Sequence, residues 1–299
     1  MTPIHPIFLA LALGLTAALP EAAQITITHV QGDTVLPAAP ETVLVYDMAT
    51  LDTLDALGVP VAGAPAGALP EALQGYGADI GTLFEPDLEA VNAAGPDLVI
   101  VGGRSAPKLA DLSQIAPTID MSLDRTDYLA SAQARVTQLG EIFDKQDAAA
   151  AALADLDAQV ADLQVAAADA GRVLVILTTG GRISAHGPGS RFGVVHDDFG
   201  FAPAATGMDT GTHGQSISFE FIRETNPDWL FVVDRDAAIG REGTAAAQLL
   251  DNDLVRTTTA WQQDQVVYLD AADWYLAGGG LSALQDSVTQ LLTAAGDAS

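Results

Sequence analysis

Three arginines of this sequence stand at positions that predict anion binding. The chain of 299 residues has only 12 Lys and Arg against 39 Asp and Glu, so each cation is informative. Arg104 and Arg235 each follow an apolar run typical of a buried strand, and Arg191 lies in a glycine-rich loop over residues 187–193. Side chains just past the carboxyl ends of parallel strands face the ligand crevice of α/β proteins. Together the three arginines predict a cationic pocket. The alternative for each is a surface ion pair.

His213 and Tyr275 are candidate ligands for a hard metal ion. His213 stands between Gly211 and Gly214 in a segment without apolar periodicity, and Tyr275 comes shortly before a run of three glycines. Imidazole nitrogen and phenolate oxygen together suit Fe(III). The alternatives are an exposed loop histidine and an aromatic pair that only packs.

The glycine-rich loop also predicts an anion site on the backbone. Ser190 is the expected N-cap of a helix over residues 192–199, and the free N–H groups at the start of such a helix attract an anion. His186 stands at the beginning of the loop. The sequence leaves open whether His186 reaches the same pocket.

Composition and missing motifs exclude several classes of function. The formal net charge is −27, which opposes binding to nucleic acid, and there is no cysteine for a disulfide framework, zinc finger, thiol nucleophile or lipid anchor. The phosphate-loop, nucleophile-elbow, dinucleotide-binding and zinc-protease motifs are also missing. We therefore expect a binding protein and not an enzyme, without an intrinsic cofactor or a nucleic-acid partner.

An internal repeat indicates how these residues are positioned. Residues 88–101 align without a gap with residues 219–232, at an offset of 131. Each copy predicts a short helix that stops at Gly95 or Asn226, followed by Pro-Asp and a buried strand. Two charged pairs obey the same offset: Glu89 with Glu220, and Arg104 with Arg235. The repeat predicts two similar lobes that face each other across a ligand cleft.

A long helix is predicted between the two copies of the repeat. Residues 145–168 contain no Gly or Pro and carry apolar residues at helical spacing, which predicts a helix of about 36 Å. The predicted fold class is α/β, with two similar α/β lobes joined by one long rigid helix. The N-terminal lobe covers residues 24–142, the linking helix 143–169, and the C-terminal lobe 170–299.

The first 23 residues are predicted to be a secretory signal peptide. Their apolar run, residues 7–19, is shorter than the roughly 20 residues that a membrane span needs. We therefore expect an exported, soluble mature chain from residue 24 onward, without a lipid anchor.

Three stretches of the sequence resemble a known family when they are taken together. They are GPGSRFGVVHDDFG at 187–200, HGQSISFEFIRETNPDWLFVVDR at 213–235, and DWYLAGGG at 273–280. In this order they are similar to the CeuE/FatB type of periplasmic ferric-siderophore (catecholate) binding protein, which serves ABC importers. This resemblance implies the two-lobed fold with one long linking helix.

The resemblance also implies roles for particular residues. Arg104, Arg191 and Arg235 would contact an anionic catecholate complex. His213 and Tyr275 would complete the iron coordination shell when a tetradentate siderophore leaves two positions open.

Glu89 and Glu220 match the acids with which such proteins dock on a permease, one on each lobe. Where His186 stands, the family pattern usually has an apolar or aromatic residue.

The function expected from the sequence is capture of a ferric catecholate siderophore in the periplasm and delivery to an inner-membrane ABC permease, by a monomer. Two alternatives stay open. One is the same fold carrying a hydroxamate siderophore, haem or cobalamin. The other is an exported siderophore-ester hydrolase, with Ser190 or Ser216 as nucleophile beside His186 or His213.

Overall fold

The computed structural model of the chain describes residues 24–67 and 69–297. The signal peptide predicted for residues 1–23 lies outside these ranges. Within them, no helix has both the length and the apolar character needed to cross a lipid bilayer.

The first half of the chain folds around a three-stranded parallel sheet, which is preceded by a β-hairpin. The strands are β1 (Ile25–His29), β2 (Gly32–Leu36), β3 (Val43–Val45), β4 (Ala64–Pro65), β5 (Gly77–Ala78), β6 (Leu98–Val101) and β7 (Thr118–Asp120). The α-helices are α1 (Met48–Ala56), α2 (Leu88–Ala94), α3 (Leu109–Leu112) and α4 (Tyr128–Ile142). Short 3₁₀ helices cover Glu71–Tyr76, Ala106–Lys108 and Arg125–Asp127.

Both faces of this sheet, in the order β3-β6-β7, are buried. Leu98 and Ile100 of β6 pack in the apolar cluster that contains α1 and α4 residues, whereas Val99 and Val101 pack in the cluster that contains α2 and α3 residues. A parallel strand covered on both faces needs an apolar residue at every position. This requirement explains the uninterrupted apolar run before Arg104.

The second half contains a larger, mixed sheet in the order β11-β9-β8-β12-β13, with β10 beside β8. Its strands are β8 (Arg172–Thr179), β9 (Arg182–His186), β10 (Ala202–Pro203), β11 (Gln215–Ile217), β12 (Trp229–Asp234) and β13 (Val266–Tyr268). The α-helices are α5 (Gln146–Ala168), α6 (Val194–Asp197), α7 (Phe219–Thr225), α8 (Arg235–Ala238), α9 (Ala246–Leu250), α10 (Thr259–Gln262) and α11 (Leu281–Asp297). A 3₁₀ turn covers Val255–Thr257 and a π-helical turn covers Ala272–Leu276.

The internal repeat is present in the structure. Helices α2 and α7 have the same length and begin and end 131 residues apart. Asp87 and Ser218 cap their first turns, and Gly95 and Asn226 end them with left-handed φ angles of 57° and 43°. Each helix leads into a central strand, β6 or β12. The sequence similarity therefore corresponds to a shared helix–strand unit in each half.

The predicted long helix is α5, and it does not span the two halves alone. Helices α4 and α11 both pack against it. Helix α11 begins with Leu281 in the apolar core of the first half, and its Val288 and Leu291 lie in a core of the second half. The α/β fold with two lobes is confirmed, while the lobe boundaries at residues 142–143 and 169–170 stay a prediction.

Asp52 of α1 ties the first half of the chain to α11. Its carboxylate accepts hydrogen bonds from the N–H groups of Ser282 at 2.8 Å and Ala283 at 3.2 Å, in the first turn of α11. Gly280 is required here, because a Cβ atom would lie 2.4 Å from the Asp52 carboxylate oxygen. Burial raises the pKa of Asp52 to about 6.

We expect stability to fall with rising pH because of Asp273, next to this junction. Burial, together with the charges of Asp270, Asp286 and Asp52, raises its pKa to about 7. The folded state favours the protonated form of Asp273. Its contribution to the free energy of unfolding is therefore present at low pH and is lost as pH rises through 7. In Asp273→Asn, the midpoint temperature of thermal unfolding should therefore decrease less between pH 6 and pH 8 than it does in wild type. At pH 8 its midpoint should exceed the wild-type value by a few degrees, on the order of one kcal/mol.

The control for this prediction is Asp162→Asn, at an exposed position of α5. The control should keep the wild-type dependence of the unfolding temperature on pH. If the unfolding temperature depended on pH equally in wild type and Asp273→Asn, Asp273 would not be the cause of this dependence.

Candidate functional site

A cleft of about 1080 Å³ lies between the two halves of the chain. Six arginines line it, and Asp47 is the only carboxylate among the described residues that line it. The arginines are Arg104, Arg125, Arg182, Arg191, Arg235 and Arg241. Since the whole chain carries −27, the cleft is a local reversal of sign that favours an anionic ligand.

Arg104 and Arg235 reach the cleft from the ends of the two central strands. Arg104 follows β6 after two glycines, and Arg235 is the first residue of α8, directly after β12. Asp47 caps α1 through Thr50 and lies against Gly102, where a Cβ atom would come within 2.7 Å of its carboxyl carbon. Burial raises the pKa of Asp47, and the hydrogen bonds from Thr50 and the charge of Arg104 partly oppose this.

Arg191 lies in the glycine-rich loop, but the loop is not the predicted backbone anion site. The helix that follows is only α6, four residues long, and not 192–199. Ser190 does not cap it, because its buried hydroxyl has no hydrogen-bond partner among the described residues. The N–H of Gly189 donates to the Asp197 carboxylate at 2.6 Å. An acid of the chain itself therefore occupies the N–H that was expected to bind an anion.

All three predicted arginines meet on Tyr275. Arg104 and Arg191 donate to its main-chain carbonyl at 2.6 and 2.7 Å, and Arg235 donates to its hydroxyl at 2.8 Å. Their guanidinium carbons lie 5.2, 4.1 and 5.6 Å from the centre of the Tyr275 ring, within the range of cation–π attraction. The structure thus brings together four of the five residues predicted to bind the ligand.

The arginines change the acidity of Tyr275. Burial on its own raises the pKa of the phenol, but the hydrogen bond from Arg235 and the charge of Arg191 outweigh it, so that the pKa is lowered. Burial and the charge of Arg104 lower the pKa of Arg191 in turn, while Tyr275 opposes this. A phenol with a lowered pKa loses its proton more readily, which favours contact with a hard cation.

Local backbone geometry makes the Tyr275 carbonyl available. The residue lies in the π-helical turn, which is closed by a hydrogen bond of 3.0 Å from the N–H of Ala277 to the carbonyl of Ala272. The chain then leaves the helical path at Gly279, with φ of 91°. A Cβ at Gly279 would also overlap Leu123. The turn therefore ends at Gly279, and the Tyr275 carbonyl accepts hydrogen bonds from two guanidinium groups.

His213 is exposed and lies in the lining of the same cleft. Its neighbour Thr212 accepts a hydrogen bond of 3.0 Å from Arg125, which belongs to the first half of the chain. The segment that carries His213 is thereby held across the cleft.

His186 does not line the cleft, which answers the question that the sequence left open. It is the last residue of β9 and is fully buried. A Cβ on Gly214 would lie 2.7 Å from its ring, so His186 packs directly behind the His213 segment. Burial, with the charges of Arg191 and His213, lowers the pKa of His186 to about 4, and the ring is neutral at pH 7.

The serine–histidine pairs of the hydrolase alternative are not formed. In the described part of the chain, neither Ser190 nor Ser216 has a side-chain hydrogen bond to a histidine. That part also contains no group of three or more His, Cys, Asp and Glu side chains able to hold a metal ion.

Sequence reasoning missed three of the arginines that line the cleft: Arg125, Arg182 and Arg241. Arg182 comes two glycines after the buried strand β8, just as Arg104 comes two glycines after β6, so the same signal could have found it. For Arg125 and Arg241 the available signal was the scarcity of cations in the chain, which makes every loop arginine a candidate.

Comparisons with known proteins agree with this geometry. A family model described as periplasmic binding protein matches residues 43–272. The petrobactin-binding protein YclQ of Bacillus subtilis is 42% identical over 278 residues, covering 90% of this chain and 86% of that protein. The ferric-anguibactin-binding protein FatB of Vibrio anguillarum is 34% identical with the same coverage.

A solved structure extends the comparison to the fold. The periplasmic catecholate-siderophore binding protein VctP from Vibrio cholerae is 34% identical and has a TM-score of 0.85, covering 90% of this chain and 99% of that one. All three of these proteins are named as binding proteins.

Proposed function

The chain belongs to the periplasmic binding protein family, as its motifs predicted, and we propose that it captures a ferric catecholate siderophore for iron uptake. The convergence of Arg104, Arg191 and Arg235 on Tyr275 inside a cleft of a strongly acidic chain carries this proposal. The names of three relatives support it further, since YclQ is named for binding petrobactin, FatB for ferric anguibactin and VctP for a catecholate siderophore.

The charge of the proposed ligand is opposite in sign to that of the three arginines. Each catecholate contributes −2, so Fe(III) with two catecholates carries −1 and with three carries −3. Each guanidinium has five N–H donors, and the hydrogen bonds to Tyr275 and Thr179 use only a minority of them. The remaining donors can bond to catecholate oxygens, each bond contributing about 1.5–3 kcal/mol.

His213 and Tyr275 are proposed to act as ligands of the siderophore's iron when the siderophore is tetradentate. Both residues line the cleft, and the lowered pKa of the Tyr275 phenol supports the role of its oxygen. The exposed imidazole of His213, which follows Thr212, supplies the second donor atom. A hexadentate siderophore has no vacant iron position, so it would use only the arginines.

Titration with a panel of iron chelates tests the proposed cargo. Trp274 lines the cleft, so quenching of tryptophan fluorescence reports occupancy. The panel consists of a ferric bis-catecholate, a ferric tris-catecholate, a ferric hydroxamate, haem and cobalamin. The proposal expects the catecholates to bind most tightly. If another member of the panel bound most tightly, that compound and not a catecholate would be the proposed cargo.

We further propose that the protein releases its ligand chemically unchanged. Mass spectrometry of a ferric ester-linked catecholate after incubation with the protein should recover the intact ligand. Appearance of the cleaved acid would instead support the hydrolase alternative.

The proposed place of action is the periplasm, and the proposed partner is an inner-membrane ABC permease that receives the ligand from a monomer. Glu89 and Glu220 are both exposed, at matching positions in the first turns of α2 and α7. One acid on each half suits docking to two cationic sites of a permease.

We predict that Glu89→Ala with Glu220→Ala lowers import of the ferric chelate at least about tenfold, because two charge pairs with the permease are lost. Chelate affinity should stay within about twofold of wild type. Uptake of radioactive iron into proteoliposomes that contain the permease measures import. Fluorescence quenching measures chelate affinity.

The matched control for docking is Glu41→Ala with Glu141→Ala, which removes two other exposed acids. It should import normally. Normal import by the Glu89 and Glu220 variant, or equal loss in the control, would contradict the docking role.

A further inference from the structure

The cleft carries more positive charge than an iron–catecholate complex needs. Arg104, Arg191 and Arg235 already supply three charges to a ligand of −1 or −3. Three further arginines line the same cleft, in a chain where acids outnumber cations 39 to 12. Two of these, Arg182 and Arg241, are carried by the second half of the chain.

Arg182 is held at the cleft by a tight hairpin turn. Gly180 and Gly181 join β8 to β9 with φ angles of 55° and 76°, the two positive values of a type I′ turn. Thr179 and Arg182 are directly paired across the strands, so their side chains lie on the same face. Thr179 accepts a hydrogen bond of 3.1 Å from Arg235, which places this face beside the arginines on Tyr275. The Arg182 side chain itself has no hydrogen bond or ion pair within the described residues.

Buried Asp236 lies between Arg241 and the same turn. Its carboxylate accepts hydrogen bonds from the N–H of Gly180 at 2.5 Å and the hydroxyl of Thr179 at 3.2 Å. The same carboxylate lies 3.7 Å from a guanidinium nitrogen of Arg235 and 3.9 Å from one of Arg241. The distance to Arg241 is long, and this side chain is 58% exposed. Arg241 lines the cleft, and within the described residues its guanidinium group makes no hydrogen bond, so its N–H donors stay available.

We propose that Arg182 and Arg241 form a second anion subsite, which binds a free carboxylate of the siderophore outside the groups that chelate iron. This inference rests on the proposed function. A carboxylate fits because a guanidinium fork pairs with two coplanar oxygens, and because the two arginines add charge that the chelate does not use. The siderophore class is thus a catecholate whose backbone carries an extra acid.

The test uses two synthetic ferric bis-catecholates that differ at one group. One carries a free carboxylate on its linker and the other carries a carboxamide at the same atom. Wild-type protein should bind the carboxylate about tenfold more tightly than the carboxamide, as expected for exposed ion pairs with two arginines. Arg182→Gln with Arg241→Gln should remove this preference and leave carboxamide binding within about threefold of wild type.

A matched control removes two exposed arginines that do not line the cleft, through Arg223→Gln with Arg256→Gln. It makes the same change in net charge and should keep the preference for the carboxylate. Equal weakening of both chelates in the Arg182 and Arg241 variant would overturn the subsite, because it would indicate long-range attraction alone. Absence of a preference in wild type would also overturn it, with the proposed function intact. Failure of wild type to bind either chelate would overturn both.

Discussion

Replacing Arg191 by glutamine should weaken the binding of a ferric bis-catecholate about 100-fold, since losing one partner of a buried charge pair costs about 2–5 kcal/mol. Arg191 has the shortest cation–π distance to Tyr275, 4.1 Å, and its guanidinium is partly withdrawn from water already in the free protein. Less solvation must therefore be removed when the ligand arrives. Its contribution to affinity should be the largest among the three arginines.

Two comparison variants make this prediction specific. Arg191→Lys keeps the charge but loses the planar set of donors, so an intermediate loss of about tenfold is expected. Arg223→Gln removes an exposed arginine of α7 and should change affinity less than about twofold. Fluorescence quenching gives the dissociation constants. An Arg191→Gln affinity within about threefold of wild type would contradict the role of the arginines.

The second large effect concerns the iron ligands. With a tetradentate ferric bis-catecholate, the combination of His213→Ala and Tyr275→Phe should abolish the shift of the charge-transfer band that wild-type protein produces. Affinity should fall about 100-fold, on the order of 3 kcal/mol for two metal ligands. Phenylalanine preserves the ring and the main-chain carbonyl at position 275. The contacts of Arg104 and Arg191 with that residue should therefore survive.

A hexadentate ferric tris-catecholate is the internal control for this pair. It has no vacant iron position, so the double variant should bind it within about threefold of wild type. An unchanged spectrum on adding the tetradentate chelate to wild type would argue against protein ligands to iron. Equal losses for both chelates would argue for a defect in the shape of the cleft.

Much of this arrangement follows from local sequence patterns. The offset of 131 between the two copies predicts helices α2 and α7 with matching ends, because Gly95 and Asn226 both tolerate the left-handed conformation. It also pairs Arg104 with Arg235. Both indeed enter the cleft from central strands, since apolar runs fix where buried parallel strands end.

Other features depend on contacts that the sequence patterns do not specify. The hydroxyl of Thr53 accepts a hydrogen bond from the N–H of Leu281, 228 residues away, so α11 starts in the first half of the chain. The capture of the Gly189 N–H by Asp197 likewise removed a predicted anion site. The position of Arg182 beside Arg235 depends on Asp236 of α8, whose carboxylate accepts hydrogen bonds from Thr179 and Gly180. The packing of the folded chain, and not the spacing of residues in the sequence, determines these features.

A crystal structure of the protein with a ferric tetradentate catecholate tests the central claim most directly. We predict iron in the cleft, catecholate oxygens within hydrogen-bond distance of the guanidinium groups of Arg104, Arg191 and Arg235, and His213 with Tyr275 on the metal. A chelate bound outside the cleft, or three arginines that make no contact with its oxygens, would contradict the account.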